Sequence, residues 1–236
     1  MTFKKVYSLG LIFLLGILLV VTFMNFNQNN FNNNYDLSEY YINQGVQDTK
    51  SINLVTAILF DYRGFDTLGE ATVIFIAALI ISLLTKRSTS SLVYNNFSPL
   101  VYQNISFIVP FLYIFGFYLI FYGHLSPGGG FAGGVVIATI FVLLTITFGV
   151  RRTREEDVLR AKSLLENLGM AGFVIIGLLG MVSGYNFLAN GQAGFYLGEA
   201  GKLISAGTIP WLNLMTGIKV GASLSIIFNC LVREVE

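Results

Sequence analysis

Tyr122-Gly-His-Leu-Ser-Pro-Gly-Gly-Gly-Phe-Ala-Gly-Gly134 sets the chain's only histidine and a dense run of glycines between two long apolar stretches. Glycines packed this closely at the edge of an apolar run let backbones approach one another. Upstream, Asp61-Tyr-Arg-Gly-Phe-Asp-Thr-Leu-Gly-Glu70 places four charges at the mouth of another apolar run, where charge is expensive enough to need a reason.

The rest of the chain decides what kind of molecule carries these two motifs. Hydrophobic residues make up 54% of it and charged residues only 11%, whereas soluble domains carry roughly a quarter charged residues. Mean hydropathy is +0.69, so its 236 residues are better counted in membrane spans of about 20 residues. Six are read: Tyr7 to Phe26, Leu68 to Leu84, Ile105 to Tyr122, Gly133 to Val150, Leu168 to Leu188 and Trp211 to Val232. Each is bounded by charge, glycine, proline or an Asn-rich loop, and lipid leaves helices as the economical way to satisfy the backbone. Alternating strands of about ten residues, as a barrel needs, are absent. The expected fold is all-α, a polytopic integral membrane protein of about six transmembrane helices.

The basic start and apolar core of Met1 to Phe26 also fit a secretory signal. The apolar stretch is long, however, and Asn25-Phe-Asn-Gln-Asn-Asn30 follows it with no small-x-small cleavage site, which favours an uncleaved first helix. With the N-terminus in the cytoplasm, Lys4, Lys5, Lys86, Arg87, Arg151, Arg152, Arg154, Arg160, Lys162 and Arg233 all fall on that side, ten of the fourteen basic residues. Both termini are then cytoplasmic. The segment from Asn25 to Lys50 reads as an external polar loop, and Ser51 to Phe60 as a short helix against the membrane or a partner, since about ten residues cannot span. A polar connection at Ser88 to Asn104 separates residues 1–90, with two helices, from residues 91–236, with four.

A net charge of +1 gives no nucleic-acid signal, and the lone Cys230 excludes an intrachain disulfide or a multi-cysteine cluster site. One histidine without nearby cysteines or carboxylates makes no metal site. No cofactor motif is present, and no phosphate loop, since no Lys-Ser/Thr follows the glycines. A membrane serine hydrolase is disfavoured: Gly180-Met-Val-Ser-Gly184 has the wrong spacing, and Ser183 and His124 fall on separate helices without an orienting carboxylate.

In the acidic motif a helix is expected from Thr67, capped by Asp66, with Glu70 one turn later on the same side. Arg63 is placed to pair with Asp66 or to hold the chain at the interface. One reading is a capping box with a snorkelling salt bridge; the other is a carboxylate relay in which Glu70, buried deeper than Asp66, holds a proton or helps pass a cation. In the glycine motif, Pro127 and Gly128 to Gly130 turn the chain, and Gly130, Gly134 and Ala138, with Gly129 and Gly133 beside them, form a helix-packing face. His124 is either a hydrogen-bonded helix-end residue or a proton carrier. Gly217-Ile-Lys-Val-Gly221 puts Lys219 inside the last apolar run, where it either snorkels or acts as a buried proton carrier or positive gate. Trp211 reads as an interface anchor.

Together these motifs resemble parts of the Mrp-type (multiple resistance and pH) cation/proton antiporter module. Asp61, Arg63, Gly64, Asp66, Thr67, Gly69 and Glu70 fit the acidic hallmark of the C-terminal tail of its MnhA-type chain, or of the equivalent small subunit of membrane-bound hydrogenases. Residues from about 95 onward, led by His124 and its glycines, resemble the MnhB-like small subunit. The resemblance implies a non-catalytic component that takes part in exchanging sodium ions for protons only inside a larger assembly, with no cofactor of its own. Its implied partners are other Mrp-type subunits, including the large complex I-like ones. An acidic segment joined to an MnhB-like domain, rather than to a large antiporter subunit, points to a respiratory hydrogenase or sulfur-reductase type of host. The competing expectation is a purely structural membrane anchor.

Overall fold

The computed structural model describes residues 13, 16, 17, 20, 37–85, 97–148 and 156–234. Ser38–Glu236 forms one compact unit and Met1–Leu37 a second. In the second, residues 13, 16, 17 and 20 are helical; most of the expected first span lies outside the described residues.

The larger unit begins at the second residue of α1, Leu37–Thr49. This corrects the expected loop over Asn25 to Lys50, whose second half is helical. Polar residues interrupt its apolar ones throughout, so a search for apolar runs passes over it. Two short pieces follow, α2 (Leu54–Ala57) and a π-helical turn, Ile58–Tyr62. The Asn53 side chain caps α2 by accepting from Thr56 N–H, as an N-cap should.

Five long apolar helices complete the unit: α3 (Gly64–Leu84), α4 (Pro99–Phe121), α5 (Gly130–Phe148), α6 (Glu156–Val182) and α7 (Ile209–Glu234). All five are long and apolar enough to cross a membrane. The expected bounds need two corrections. Ser98 and Pro99 start α4 earlier than Ile105, since proline suits the first helical position. α6 starts at Glu156 rather than Leu168, because Lys162 and Glu166 are buried inside it, and it ends at Val182 rather than Leu188, where Gly184 turns the chain at φ +82°.

Topology follows from which faces are apolar and which are small. α7 is the central post: 61% of its spanning segment is buried, against 11% for α4, and it packs on α3, α4, α5 and α6. Glycine spacing makes the contact with α5. A Cβ on Gly134 would stand 2.8 Å from the Gly217 carbonyl oxygen and 3.1 Å from Gly221 N, and one on Gly130 would collide with the Asn213 carbonyl. Two four-residue glycine pairs, Gly130/Gly134 and Gly217/Gly221, therefore face each other, and Gly133 gives α4 the same closeness at Ile120 and the Gly116 carbonyl. On the other side of α7, Gly169 of α6 lies against Lys219. Near the start of α7, Phe60, Phe173, Leu188, Ala206, Ile209 and Leu212 form the apolar core.

Candidate ion-path site

The acidic motif is built on an irregular start. Arg63 N–H bonds back to the Ile58 carbonyl at 2.7 Å, closing the π turn, a rare form that often marks functional positions. Thr67 Oγ1 donates to the Leu59 carbonyl at 2.6 Å, and Gly64 makes room for Leu188. α3 thus begins at Gly64, not Thr67, and Asp66 lies in its first turn instead of capping it. Arg63 and Asp66 form an ion pair with side chains 60% and 47% exposed, so water would screen it to a small contribution. Glu70 is one turn further along α3, but the other described residues do not bury it, contrary to expectation. It shares with Asp66 an uncovered stripe continued by Val73, Ile76, Ile80 and Leu83.

Asp61, in the π turn, belongs to the acidic motif but was not among the expected path residues. Burial pushes its carboxyl up to about 6, against a hydrogen bond from the Asn190 side chain and with help from the nearby Asp48 charge. Asp48 accepts from Tyr62 Oη at 2.7 Å and from Tyr40 Oη at 3.0 Å. Burial, then these interactions with Asp48, hold the Tyr62 phenol above its ordinary range.

The glycine motif is a knot. Asn53 Nδ2 donates to the Gly123 and Ser126 carbonyls at 2.8 and 2.9 Å, and Thr56 Oγ1 to Gly123 at 2.8 Å. Ser51 Oγ and Asn53 N–H both donate to the His124 carbonyl, at 2.9 and 3.1 Å. Gly130 N–H donates to Asn213 Oδ1 at 2.8 Å. Gly128 and Gly129 turn the chain at φ +156° and +130°, backbone angles that favour glycine. The segment before the acidic motif is therefore tied to the glycine motif by buried hydrogen bonds. His124 itself is fully buried with Nε2 3.2 Å from the Leu203 carbonyl, which fits the hydrogen-bonded reading. Burial lowers its pKa against the pull of the Leu203, Lys202 and Phe121 carbonyls, which favours the neutral ring.

Lys219 does not snorkel. Its side chain is 1% exposed, and Nζ donates to the Ala71 carbonyl of α3. Across from it on α6 is a carboxylate that the sequence motifs did not point to: Glu166, 6% exposed, accepting from Ser223 Oγ of α7. Lys162, counted by sequence among cytoplasmic basic residues, is also buried, with Nζ 4.6 Å from the centre of the Phe141 ring. The available signal was the spacing of Lys162 and Glu166, four residues apart and so on one helix face.

The candidates thus form three places. Arg63, Asp66 and Glu70 share the open face of α3, His124 sits in the glycine knot, and Lys219 is interior. Among the described residues no hydrogen bond or ion pair joins His124 or Lys219 to Asp66 or Glu70. Ser183 Oγ is exposed and donates to Leu179, away from His124.

Helix lengths, glycine interfaces and a carboxylate-bearing uncovered face define a multi-pass helical membrane protein built to pack against others. A domain related to the MnhB subunit of Na+/H+ antiporters matches residues 100–226, and the E subunit of MBH matches residues 4–92. The chain belongs to the MnhB-related family, and it is a membrane subunit of an Mrp-type antiporter module. An uncharacterized protein of Methanocaldococcus jannaschii is 32% identical over 219 residues, 81% of this chain and 83% of the relative. A chain of the membrane-bound sulfane sulfur reductase, an archaeal respiratory membrane complex, superimposes with TM-score 0.74 and 31% identity, covering 98% of this chain and 99% of that one. A chain of the Mrp complex of Dietzia sp. DQ12-45-1b shares the fold, with TM-score 0.60 and 23% identity over 97% of this chain and 26% of that one.

Proposed function

We propose that the chain lends the α3 carboxylates Asp66 and Glu70 to the sodium/proton path of a respiratory complex of the sulfur-reductase or hydrogenase type. The observation that carries this reading is the position of both carboxylates on a face of α3 that the other described residues leave uncovered. Beyond Glu70 that face is apolar, so a neighbouring membrane subunit seated on it would surround the carboxylates with protein. A complex I-like large subunit is the fitting neighbour, with the path running at the joint and Arg63 paired with Asp66 beside it. The chain itself does no covalent chemistry and holds no cofactor. Residues 1–90 act as the acidic-tail part and residues 91–236 as the MnhB-like part, and both termini face the cytoplasm. Similarity over nearly the whole length of the sulfur-reductase chain supports the respiratory host over a stand-alone antiporter.

Glu70→Gln and Asp66→Asn keep size and remove charge. In vesicles containing the whole complex, both are expected to assemble and to lose sodium-dependent proton movement, Glu70→Gln more severely. Repeating the assay with potassium identifies the ion. Undiminished exchange in both variants would favour a structural anchor, a reading that the glycine knot and the packed interfaces of α7 also support.

A further inference from the structure

α3 is not the only place where charge enters the membrane-spanning part. Glu166 and Lys219 lie between α6 and α7 and interact electrostatically, yet each takes its hydrogen bond elsewhere: the carboxylate from Ser223, the amine to the Ala71 carbonyl. A carboxylate has about four acceptor sites and an ammonium three donors, so both keep unused capacity. A pair kept for rigidity alone does best with the two charges in direct contact and fully bonded.

Buried polar atoms without a partner continue the line on both sides. On α7, Asn213, Thr216, Lys219 and Ser223 follow one another at three- and four-residue steps, Asn213 and Thr216 beside Gly130 of α5 and Lys219 beside Gly169 of α6. Asn213 Nδ2 and Thr216 Oγ1 are buried and unpaired, and so is Lys162 Nζ, one turn before Glu166 on α6. Unpaired buried polar atoms in a row are where ordered water is expected. Other charge is scarce: α4 and α5 contain no charged residue, α6 adds Lys162 at this face, and α3 brings the Ala71 carbonyl, its carboxylates being on the uncovered face.

We propose that Glu166 and Lys219 form an internal proton-carrying pair, fed by a file of water that passes Asn213 and Thr216 on the α5 side of α7 and reaches Lys219 and Ser223 on its α6 side, and drained toward Lys162. A proton from a file water adds to a Glu166 oxygen and leaves hydroxide, which the next proton along the file neutralises. Ionised Glu166 is balanced by Lys219; protonated Glu166 leaves that cation unbalanced, and the repulsion drives the proton on. The site is separate from the α3 carboxylates and does not rest on their role.

The test uses the whole complex in proteoliposomes with Glu166→Gln, Lys219→Met, their double variant and Ser223→Ala, beside Glu70→Gln. Each of the first three is expected to slow proton movement roughly a hundredfold or more, in the range set by loss of a positioned proton-transfer group. Ser223→Ala, which keeps both charges, shifts the pH midpoint of transport. Infrared difference spectra across a pH step lose a carboxyl band in Glu166→Gln that Glu70→Gln retains. Where a single variant leaves a lone buried charge and fails to assemble, the double variant carries the measurement. Restored transport in the double variant overturns the proposal, since it assigns the pair to structure, and so does an unmoved pH midpoint in Ser223→Ala. Normal transport in Glu166→Gln with loss in Glu70→Gln also overturns it while leaving the α3 reading intact.

Discussion

Lys219 Nζ donates to the backbone carbonyl of Ala71, the residue that follows Glu70 on α3. The central helix thus reaches α3 within one residue of its deepest carboxylate, but from the interior, while Glu70 lies on the uncovered side. Any shift of α3 that changed the exposure of Glu70 would also pull on the bond that holds Lys219.

Glycines 69 and 134 should respond differently to the same substitution. A Cβ on Gly134 meets the α7 backbone, whereas nothing lies within 4 Å of one on Gly69. Gly134→Leu is expected to wedge α5 from α7, costing about 1–3 kcal/mol or more, and to lower both thermal stability and the yield of assembled complex. Gly69→Leu should leave this chain folded and reduce only the copurification of its large neighbour. Full recovery of the complex with Gly69→Leu would mean that lipid, not protein, covers that face.

Asn53→Ala removes two donations to the glycine motif and the cap of α2. The Gly123 carbonyl keeps its bond from Thr56 and the Ser126 carbonyl is half-buried, so each lost hydrogen bond costs about 0.5–1.5 kcal/mol. The expected outcome is a lower melting temperature of the purified complex, with Asn53→Asp recovering the cap but not the donations.

Asp61 makes stability depend on pH. Its folded pKa, about 6, lies above the ordinary 3.8, so the folded state binds the extra proton and stability falls as pH rises through that window. Asp61→Asn should flatten this fall, gaining relative to the parent above about pH 6 and little near pH 4. Melting curves at both ends of the window measure it. A parallel pH dependence in parent and variant would show that Asp61 is ionised alike in both states.

Topology is open to labelling. Tyr196, in the connection between α6 and α7, is 79% exposed and lies at the end of the bundle expected outside. A cysteine there should react with an impermeant reagent on intact cells, and reaction only after the membrane is opened would reverse the orientation.

The composition by itself determined that this chain spans a membrane as helices, and local pattern placed most of them, because about 20 apolar residues in lipid have few other ways to satisfy their backbone. The four-residue glycine spacings were equally legible, since a missing Cβ means the same thing wherever the helix goes. Bounds failed where burial depends on a partner distant in sequence: Lys162 and Glu166 lay outside the span expected from Leu168, but Phe141 and Ser223 beside them bury both within α6. The same held for α1, whose polar residues carry no membrane signal, and for Asn53, one asparagine among many until the Gly123 and Ser126 carbonyls, about seventy residues away, came within reach. Whether a charge in an apolar run is solvated, paired or exposed to a neighbour is settled by which helices pack on which faces. That packing enclosed Lys219 and left Glu70, one of four charges at the mouth of an apolar run, on a face uncovered by the other described residues.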